Sequence, residues 1–408
     1  MQINKLGINV LEASKERIKW TFDNFERIYV SFSGGKDSTC MLHLVMEEAI
    51  KRNRKIGLMF VDWECQFSLT IEHIKNMFEA YKDYLEIYWI QLPIRTWTGC
   101  SQFEPEWTAW DENKKELWVR TKDKEAITDN KFFPFYFENI MFEEFTPLFA
   151  KWYSQEKKTA CFVGIRSAES LNRYRTIAVS NKKVIDKKYW MTNVIDKVWN
   201  IYPIYDWRTK DDWIYVSKYN KSYNKLYDRM YQAGMTINQM RIDEPFGDTQ
   251  RQGLWLYQII EPKMWSKMVL RVAGANNGSI YCNDKGDILG NGKIKLPKGH
   301  NWESFTKYLL NTMPTKTSEH YKNKIAVYLK FFRKKGYPDS IPDFLDSKLE
   351  ASGKAPSWRR ICKSLLRNDY WCRGIGFSPT KSEAYNKYLK LMNKRRNNWN
   401  IFPNTSNI

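Results

Sequence analysis

Along the first ninety or so residues the apolar positions keep two different rhythms, and the switches between them predict the elements. Val10, Leu11, Ile18 and Phe22 recur at helical spacing with charges between them, which predicts a helix over residues 9–26. The run Ile28-Tyr29-Val30-Ser31-Phe32 is short and β-prone, so it reads as a strand. It passes directly into Ser33-Gly34-Gly35, after which Thr39 to Met46 is apolar at helical spacing. The apolar runs Ile56–Val61 and Leu85–Ile90 predict two further strands, separated by a helix through Ile71, Ile74, Met77 and Phe78. Strands alternating with helices imply βαβ units, and therefore a parallel sheet with ligands beyond the carboxyl ends of its strands.

Residues 94–150 break this rhythm. Trp97, Trp107, Trp110 and Trp118 are interleaved with charges, and the cluster Phe132-Phe133-Pro134-Phe135-Tyr136-Phe137 follows, which together predict an insertion folded over the sheet. Regularity returns with a strand at Thr159–Val163 that runs into Gly164-Ile165-Arg166-Ser167-Ala168-Glu169-Ser170. After about residue 235 the alternation is lost: residues 250–272 and 302–335 predict helices, separated by a stretch rich in turn formers, including Gly274, Asn276, Asn277, Gly278, Gly286, Gly290 and Gly292. The expected architecture is an α/β parallel-sheet domain over residues 1–235 and a basic, mainly helical domain over residues 236–408.

A length of 408 residues suffices for those two domains, and an aromatic share of 16% excludes a disordered chain. Charge changes the picture more. The net charge is +20, and residues 301–408 hold 21 Lys/Arg against 8 Asp/Glu, a field that attracts polyanions such as nucleic acid or an acidic protein partner. Within it, Arg359, Arg360, Arg373, Arg395 and Arg396 stand beside Trp358, Tyr370, Trp371 and Trp399, a mixture suited to stacking on bases and holding phosphates. The competing reading is a helical cap with a solvated basic face. Seven cysteines without a C-x-x-C pair argue against a disulfide framework and against a zinc or iron–sulfur site. Cys362 and Cys372 lie among cations that could lower a thiol pKa, or are simply buried; His43 reads as structural. No signal-peptide core or membrane-spanning run occurs, so a soluble, cytoplasmic protein with no membrane association is expected.

The candidate chemistry starts at Ser33-Gly34-Gly35-Lys36-Asp37-Ser38. Adjacent glycines let backbone N–H groups approach an anion, the following helix presents its positive end, and Lys36, Ser33 and Ser38 add donors. The spacing of a Walker A loop is absent, and a plain capped turn is the competing reading. Asp62 follows the second strand, where it is either a ligand-facing carboxylate or a cap.

In these residues the chain resembles the PP-loop ATP pyrophosphatases, adenine nucleotide alpha-hydrolase-like in fold, and among them the branch of phosphoadenosine phosphosulfate (PAPS) reductase and the sulfate adenylyltransferase small subunit. Val61-Asp62, the G-x-R-x-x-E-S element at Gly164–Ser170 with Arg173 and Arg175 behind it, Tyr202-Pro203-Ile204-Tyr205-Asp206-Trp207 with Lys210-Asp211-Asp212-Trp213, and Leu226-Tyr227-Asp228 carry the resemblance in order over residues 25–235. Its length and Trp-rich insertion are similar to a larger subgroup with a C-terminal domain of unknown function, whose members are associated with ParB-like partners.

The resemblance implies ATP or an adenylyl-sulfate-type nucleotide as ligand, held by Ser33, Gly34, Gly35, Lys36, Asp37, Ser38, Asp62, Gly164, Arg166, Glu169, Ser170, Arg173 and Arg175. Lys36, Asp37 and Arg166 would act in α–β phosphate cleavage or adenylyl transfer, with Mg²⁺ held by Asp37 or Asp62. From spacing alone, Arg166 and Glu169 could equally be a surface ion pair. The short Glu-Cys-Gly motif of thiol-dependent PAPS reductases does not occur, and no cysteine lies between Cys161 and Cys282, which argues against sulfite formation. Two rival expectations remain: a nucleotide-gated DNA- or partner-binding module working with a ParB-like protein, and a nucleic-acid sulfur-transfer enzyme.

Overall fold

Short strands buried on both faces dictate the architecture of the computed structural model, which describes residues 7–101, 104–178, 183–247, 253–276, 296–367, 369–377 and 390. Strands β1 (Arg27–Ser31), β2 (Ile56–Val61), β3 (Leu85–Ile90), β4 (Thr159–Val163), β5 (Met191–Ile195) and β6 (Val198–Ile201) form one sheet in the order β3-β2-β1-β4-β6-β5. All neighbours pair in parallel except β5, which returns antiparallel on β6. The expected α/β class and its first four strands are present. The hairpin of β5 and β6 is an addition that the sequence pattern did not announce, because β5 is an edge strand buried fully at Met191 alone and so lacks a continuous apolar run.

The period of two along each strand sorts the two covering layers. Ile28 and Val30 of β1, Leu58 and Phe60 of β2 and Phe162 of β4 pack with Ile18 and Phe22 of α1 (Val10–Asn24), Met41 and Val45 of α2 (Lys36–Lys51) and Ile74 and Phe78 of α3 (Ser68–Tyr81). Residues of the other parity meet α4 (Phe142–Ser154): the Tyr29 ring lies 5.4 Å from Phe149 and 5.1 Å from Tyr153, and Tyr88 lies 5.4 Å from Phe149. The end of the expected irregular insertion is therefore a regular helix that covers the sheet, one turn of which contains Pro147. An interior proline and a dense aromatic run hide the helical signal there.

The chain divides into two compact units. One comprises Met1–Thr96, Thr108–Pro245 and Leu256–Glu261, the other Trp97–Trp107, Phe246–Trp255 and Pro262–Ile408. In the second unit, helices Trp302–Asn311, Thr315–Lys334 and Trp358–Leu366 enclose a core of Phe305, Leu309, Tyr321, Ile325, Phe332, Ile361 and Leu365. The long helices expected over 250–272 and 302–335 are each broken, at Pro262 and Pro314, where proline lacks the amide donor and holds the preceding residue extended. Asn277, Gly278, Cys282, Gly286, Gly290 and Gly292 lie outside the described residues. No helix among the described residues is long and apolar enough to cross a membrane.

Gly57 on β2 is where the aromatic layer comes closest. A Cβ there would stand 2.8 Å from the Tyr153 ring, whose hydroxyl is fixed by donating to the Ile28 carbonyl at 2.9 Å. Gly57→Ala is expected to destabilise the protein by about 1–3 kcal/mol, as overpacking typically does. A lowered denaturant midpoint with an unchanged slope checks it.

Candidate functional site

Between β1 and α2 the chain must turn within four residues, Phe32 to Gly35, and glycine makes that possible. Gly34 has φ +74°, a conformation that L side chains rarely adopt, and a Cβ there would lie 3.0 Å from Ile74. Gly35 is the N-cap of α2, so Lys36, Asp37 and Ser38 form its first turn. Ser33, Gly35, Lys36, Asp37 and Ser38 line a cavity of about 330 Å³, together with Ser31, Val61 and Val163 at the carboxyl ends of β1, β2 and β4. Gly164, just beyond β4, also lines it, and a Cβ on Gly164 would lie 2.9 Å from Ser38 Cα. The loop after β4 is thus pressed against the first turn of α2, where a side chain has no room.

Lys36 is buried, not a mobile cation. Its Nζ lies 3.3 Å from Asp37 Oδ2, donates to the Met240 carbonyl at 3.4 Å and stands 5.7 Å from the centre of the Tyr227 ring. Its amide N–H donates to the Tyr227 hydroxyl at 2.8 Å, which gives the Leu226-Tyr227-Asp228 element a physical role. The hydroxyls of Ser33 and Ser38 lie 3.0 Å apart, and Ser38 also donates to the Gly35 carbonyl at 3.1 Å.

Arg166 reaches back to the same turn. Its Nε donates to Asp37 Oδ1, a terminal nitrogen lies 3.5 Å from Asp37 Oδ2, and Nε is 3.5 Å from Asp212 Oδ2. Asp212 is wholly buried at the start of α6 (Thr209–Lys218). Burial, and then the charge and hydrogen bond of Asp37, push the Asp212 carboxyl well above the usual range. For Asp37 burial pulls upward but is outweighed by Lys36, the hydrogen bond to Asp212 and Arg166, so its carboxyl is held below the usual range. Of the two acids, Asp212 is therefore the one that gives up its proton at the higher pH. Asp212 was legible only as part of a family element. Sequence does not say which of two neighbouring aspartates turns inward: Asp211 caps α6, accepting from the Arg208 amide at 2.6 Å.

The rest of the Gly164–Ser170 element divides its tasks. Arg166 and Glu169 form no ion pair with each other; Glu169 instead meets Arg173 and, at 3.7 Å, Arg241. Glu169, Arg173 and Arg241 all line the cavity. Ser170 accepts from the Arg173 amide at 3.2 Å and opens the helix Leu171–Ala178, while Arg175 is exposed and outside the cavity lining. Ile242, Asp243 and Glu244 complete this rim, and no pattern in the sequence marked them. Trp63 and Phe142, with ring centres 5.2 Å apart, give the cavity an aromatic wall.

Asp62 does not face the cavity. Its buried carboxylate accepts from Trp89 Nε1 at 3.0 Å, Gln91 Nε2 at 2.8 Å, the Glu64 amide at 2.9 Å and Arg120. Those donors fill the acceptor positions of a carboxylate, which makes Asp62 an anchor for the segment carrying Arg120. The Mg²⁺ reading of Asp37 and Asp62 does not fit these contacts, because one acid is saturated and the other is held by two cations. No group of three or more His, Cys, Asp or Glu suited to a metal occurs among the described residues.

Other candidates resolve simply. His43 lies between the Tyr81 hydroxyl at 2.7 Å and the Ser222 carbonyl at 2.9 Å. Burial pushes the thiols of Cys362 and Cys372 up to about 12, so neighbouring cations do not activate them. Two of the five arginines of the expected surface are half-buried and engaged within the chain: Arg359 binds Glu350 at 2.7 Å and the Leu345 carbonyl at 2.5 Å, and Arg360 binds the Gly374 carbonyl at 2.7 Å. Arg373 is exposed, and Arg395 and Arg396 lie outside the described residues.

Comparison with known proteins places these features in a lineage. A profile of the phosphoadenosine phosphosulfate reductase domain matches residues 27–233, and one of a domain of unknown function (DUF3440) matches residues 234–340 and 338–386. The uncharacterized protein YbdN of Escherichia coli (strain K12) is 46% identical over 402 residues, covering 98% of each chain. Among solved structures, PAPS reductase from Candida auris in a phosphate complex aligns over 56% of this chain and 94% of its own, at 16% identity and a TM-score of 0.31. Candida glabrata FMN adenylyltransferase with FMN and an ATP analog aligns over 55% and 63%, at 15% identity and a TM-score of 0.31.

The raised pKa of Asp212 has an effect whose sign can be measured. A carboxyl whose folded pKa is raised keeps a proton that the unfolded chain releases, so its stability contribution is lost as pH climbs from the ordinary value of about 4 toward the raised one. The lowered pKa of Asp37 acts below that window. Asp212→Asn keeps a hydrogen-bond donor and removes the titration. Urea midpoints between pH 5 and 8 are expected to shift progressively in favour of the variant; parallel profiles refute the assignment.

Proposed function

We propose, from the premise that this chain belongs to the phosphoadenosine phosphosulfate reductase domain family, that its cavity binds ATP or an adenylyl-sulfate-type nucleotide and breaks the bond at the α-phosphate. The observation that carries this reading is the buried cluster of Lys36, Asp37, Arg166 and Asp212 in and around the first turn of α2, beside a cavity at the carboxyl ends of parallel strands. With Asp212 the weaker counter-charge, two cations face mainly one carboxylate, and their positive charge suits a phosphate chain next to a helix N-terminus. The aromatic wall of Trp63 and Phe142 takes the base.

With ATP, an acceptor oxygen attacks the α-phosphorus, the new P–O bond forms, and the bond to the α–β bridging oxygen breaks to release pyrophosphate; with an adenylyl sulfate the same displacement releases sulfate. Charge grows on that leaving group, where the Lys36 ammonium, the Arg166 guanidinium and the positive end of α2 stand beside the cavity. Lys36 would exchange the Met240 carbonyl for a phosphate oxygen. Transfer is favoured over sulfur reduction because no cysteine lines the cavity among the described residues. Residues 1–235 carry the nucleotide chemistry in this reading, and residues 236–408 select the acceptor or partner.

Incubation with α- and γ-labelled ATP, followed by product separation, checks the cleavage position. The α label is expected in AMP or an adenylylated acceptor and the γ label in pyrophosphate, with Lys36→Ala slowing turnover roughly 10²–10³-fold, the usual loss for one preorganised donor. Accumulation of ADP and phosphate, or no affinity for adenine nucleotides in equilibrium binding, would overturn the proposal.

A further inference from the structure

Helix Thr315–Lys334 buries Thr317, Tyr321, Ile325, Tyr328 and Phe332 against the core of the second unit. Those positions follow the 3.6-residue period, so the opposite half of the cylinder faces solvent. On it stand Lys316, Lys322, Lys330 and Lys334, all exposed and without an ion pair among the described residues. Glu319 is the one carboxylate on that face. Other nearby cations are already engaged: Arg333 with Asp339 at 2.5 Å, Lys324 over the Phe377 ring at 4.5 Å and Lys335 over Phe331 at 4.5 Å.

We infer that this face of helix Thr315–Lys334 binds the phosphodiester backbone of nucleic acid. Eighteen residues separate Lys316 from Lys334, so the lysines are spread along about 27 Å of helix at 1.5 Å per residue. A ladder of separated, unpaired ammonium groups matches a polymer whose phosphates recur every 3.4 Å or so along each strand. An acidic protein partner would call for a buried apolar anchor at the centre of the patch. Here the apolar residues of the face, Val327 at 55% and Phe331 at 50%, are exposed rather than buried and lie to one side of the lysines. The lysines would hold the backbone irrespective of sequence, with base reading left to other groups. This inference concerns a surface separate from the nucleotide cavity and stands or falls independently of the proposed reaction.

The test uses the full chain and fluorescence anisotropy with labelled duplex DNA, single-stranded DNA and duplex RNA, with polyglutamate as the non-nucleic polyanion. One variant carries Lys316→Gln, Lys322→Gln, Lys330→Gln and Lys334→Gln. A charge-matched control carries Lys51→Gln, Lys55→Gln, Lys124→Gln and Lys157→Gln, all exposed positions of the first unit. The helix variant is expected to flatten the slope of log affinity against log salt by roughly 3–4, near 0.9 for each phosphate that is no longer neutralised, while the control leaves it unchanged. Bound nucleic acid should also shield the four helix lysines from acetylation. Whichever nucleic acid binds best identifies the source of the phosphates. Equal weakening by both variants, equally tight polyglutamate binding, unshielded lysines, or no binding to any of the three nucleic acids would each overturn the inference.

Discussion

A guanidinium taken out of water needs counter-charge, and at Arg166 that need ties three segments together. The loop after β4 supplies the arginine, the first turn of α2 supplies Asp37 and Lys36, and α6 supplies Asp212. Leaving any of these ions buried without its partner would cost about 3–5 kcal/mol, so the segments are held in register by electrostatics as well as by the apolar core. Close contact allows it: Gly164 brings its loop against Ser38, and Gly34 brings the turn against Ile74. The proton on Asp212 matters to the balance. The Asp212 carboxyl holds that proton to a higher pH than Asp37 does, so it is the weaker counter-charge to Arg166 and Lys36.

A second buried carboxylate, Asp62, shows how the same residue type takes an opposite role. Asp62 has no cation beside the cavity and instead collects neutral donors from β3 and its following residues, plus Arg120 from the Trp-rich segment. Glu64 extends the arrangement by accepting from the amides of Trp110 and Val119, at 2.7 and 3.2 Å. Two acids spaced by one residue thus pin an otherwise irregular segment to the end of β2. The cavity is in consequence shaped partly by residues that never touch it.

How far this was legible follows from the physics of each signal. Period-two and period-3.6 patterns are strong where burial is nearly complete, so β2 and β4 were readable to the residue, and β3 was readable from its β-prone composition although Glu86 and Ile87 are exposed. They fail where burial is partial, as at β5, or where proline and aromatics interrupt a helix, as in α4. The glycine turn was readable because a strand-to-helix turn of this kind needs those residue types in that order, whereas Arg166 stood out only through the family element, since spacing alone allowed a surface ion pair with Glu169. The partners that finish the site were less readable: Asp212 and Tyr227 were visible only as parts of family elements, without their roles, while the Met240 carbonyl and Arg241 to Glu244 follow no pattern. Asp62 was misread for the same reason, since a strand-end position does not reveal which way the carboxylate turns.

The C-terminal charges make a related point about composition. A count of basic residues treats arginine and lysine alike, yet the fold sorts them. The planar guanidiniums of Arg359 and Arg360 satisfy backbone carbonyls and a carboxylate, a task their fixed donor geometry suits and a strongly hydrated ammonium does not. Tucked into the helical unit, they act as struts. The lysines of helix Thr315–Lys334 stay in water because each ammonium retains its hydration there while its stem covers the helix surface. Along the described helix Thr315–Lys334, exposed charge therefore resides mainly in lysines, although the arginines with their neighbouring aromatics are what the sequence brings forward.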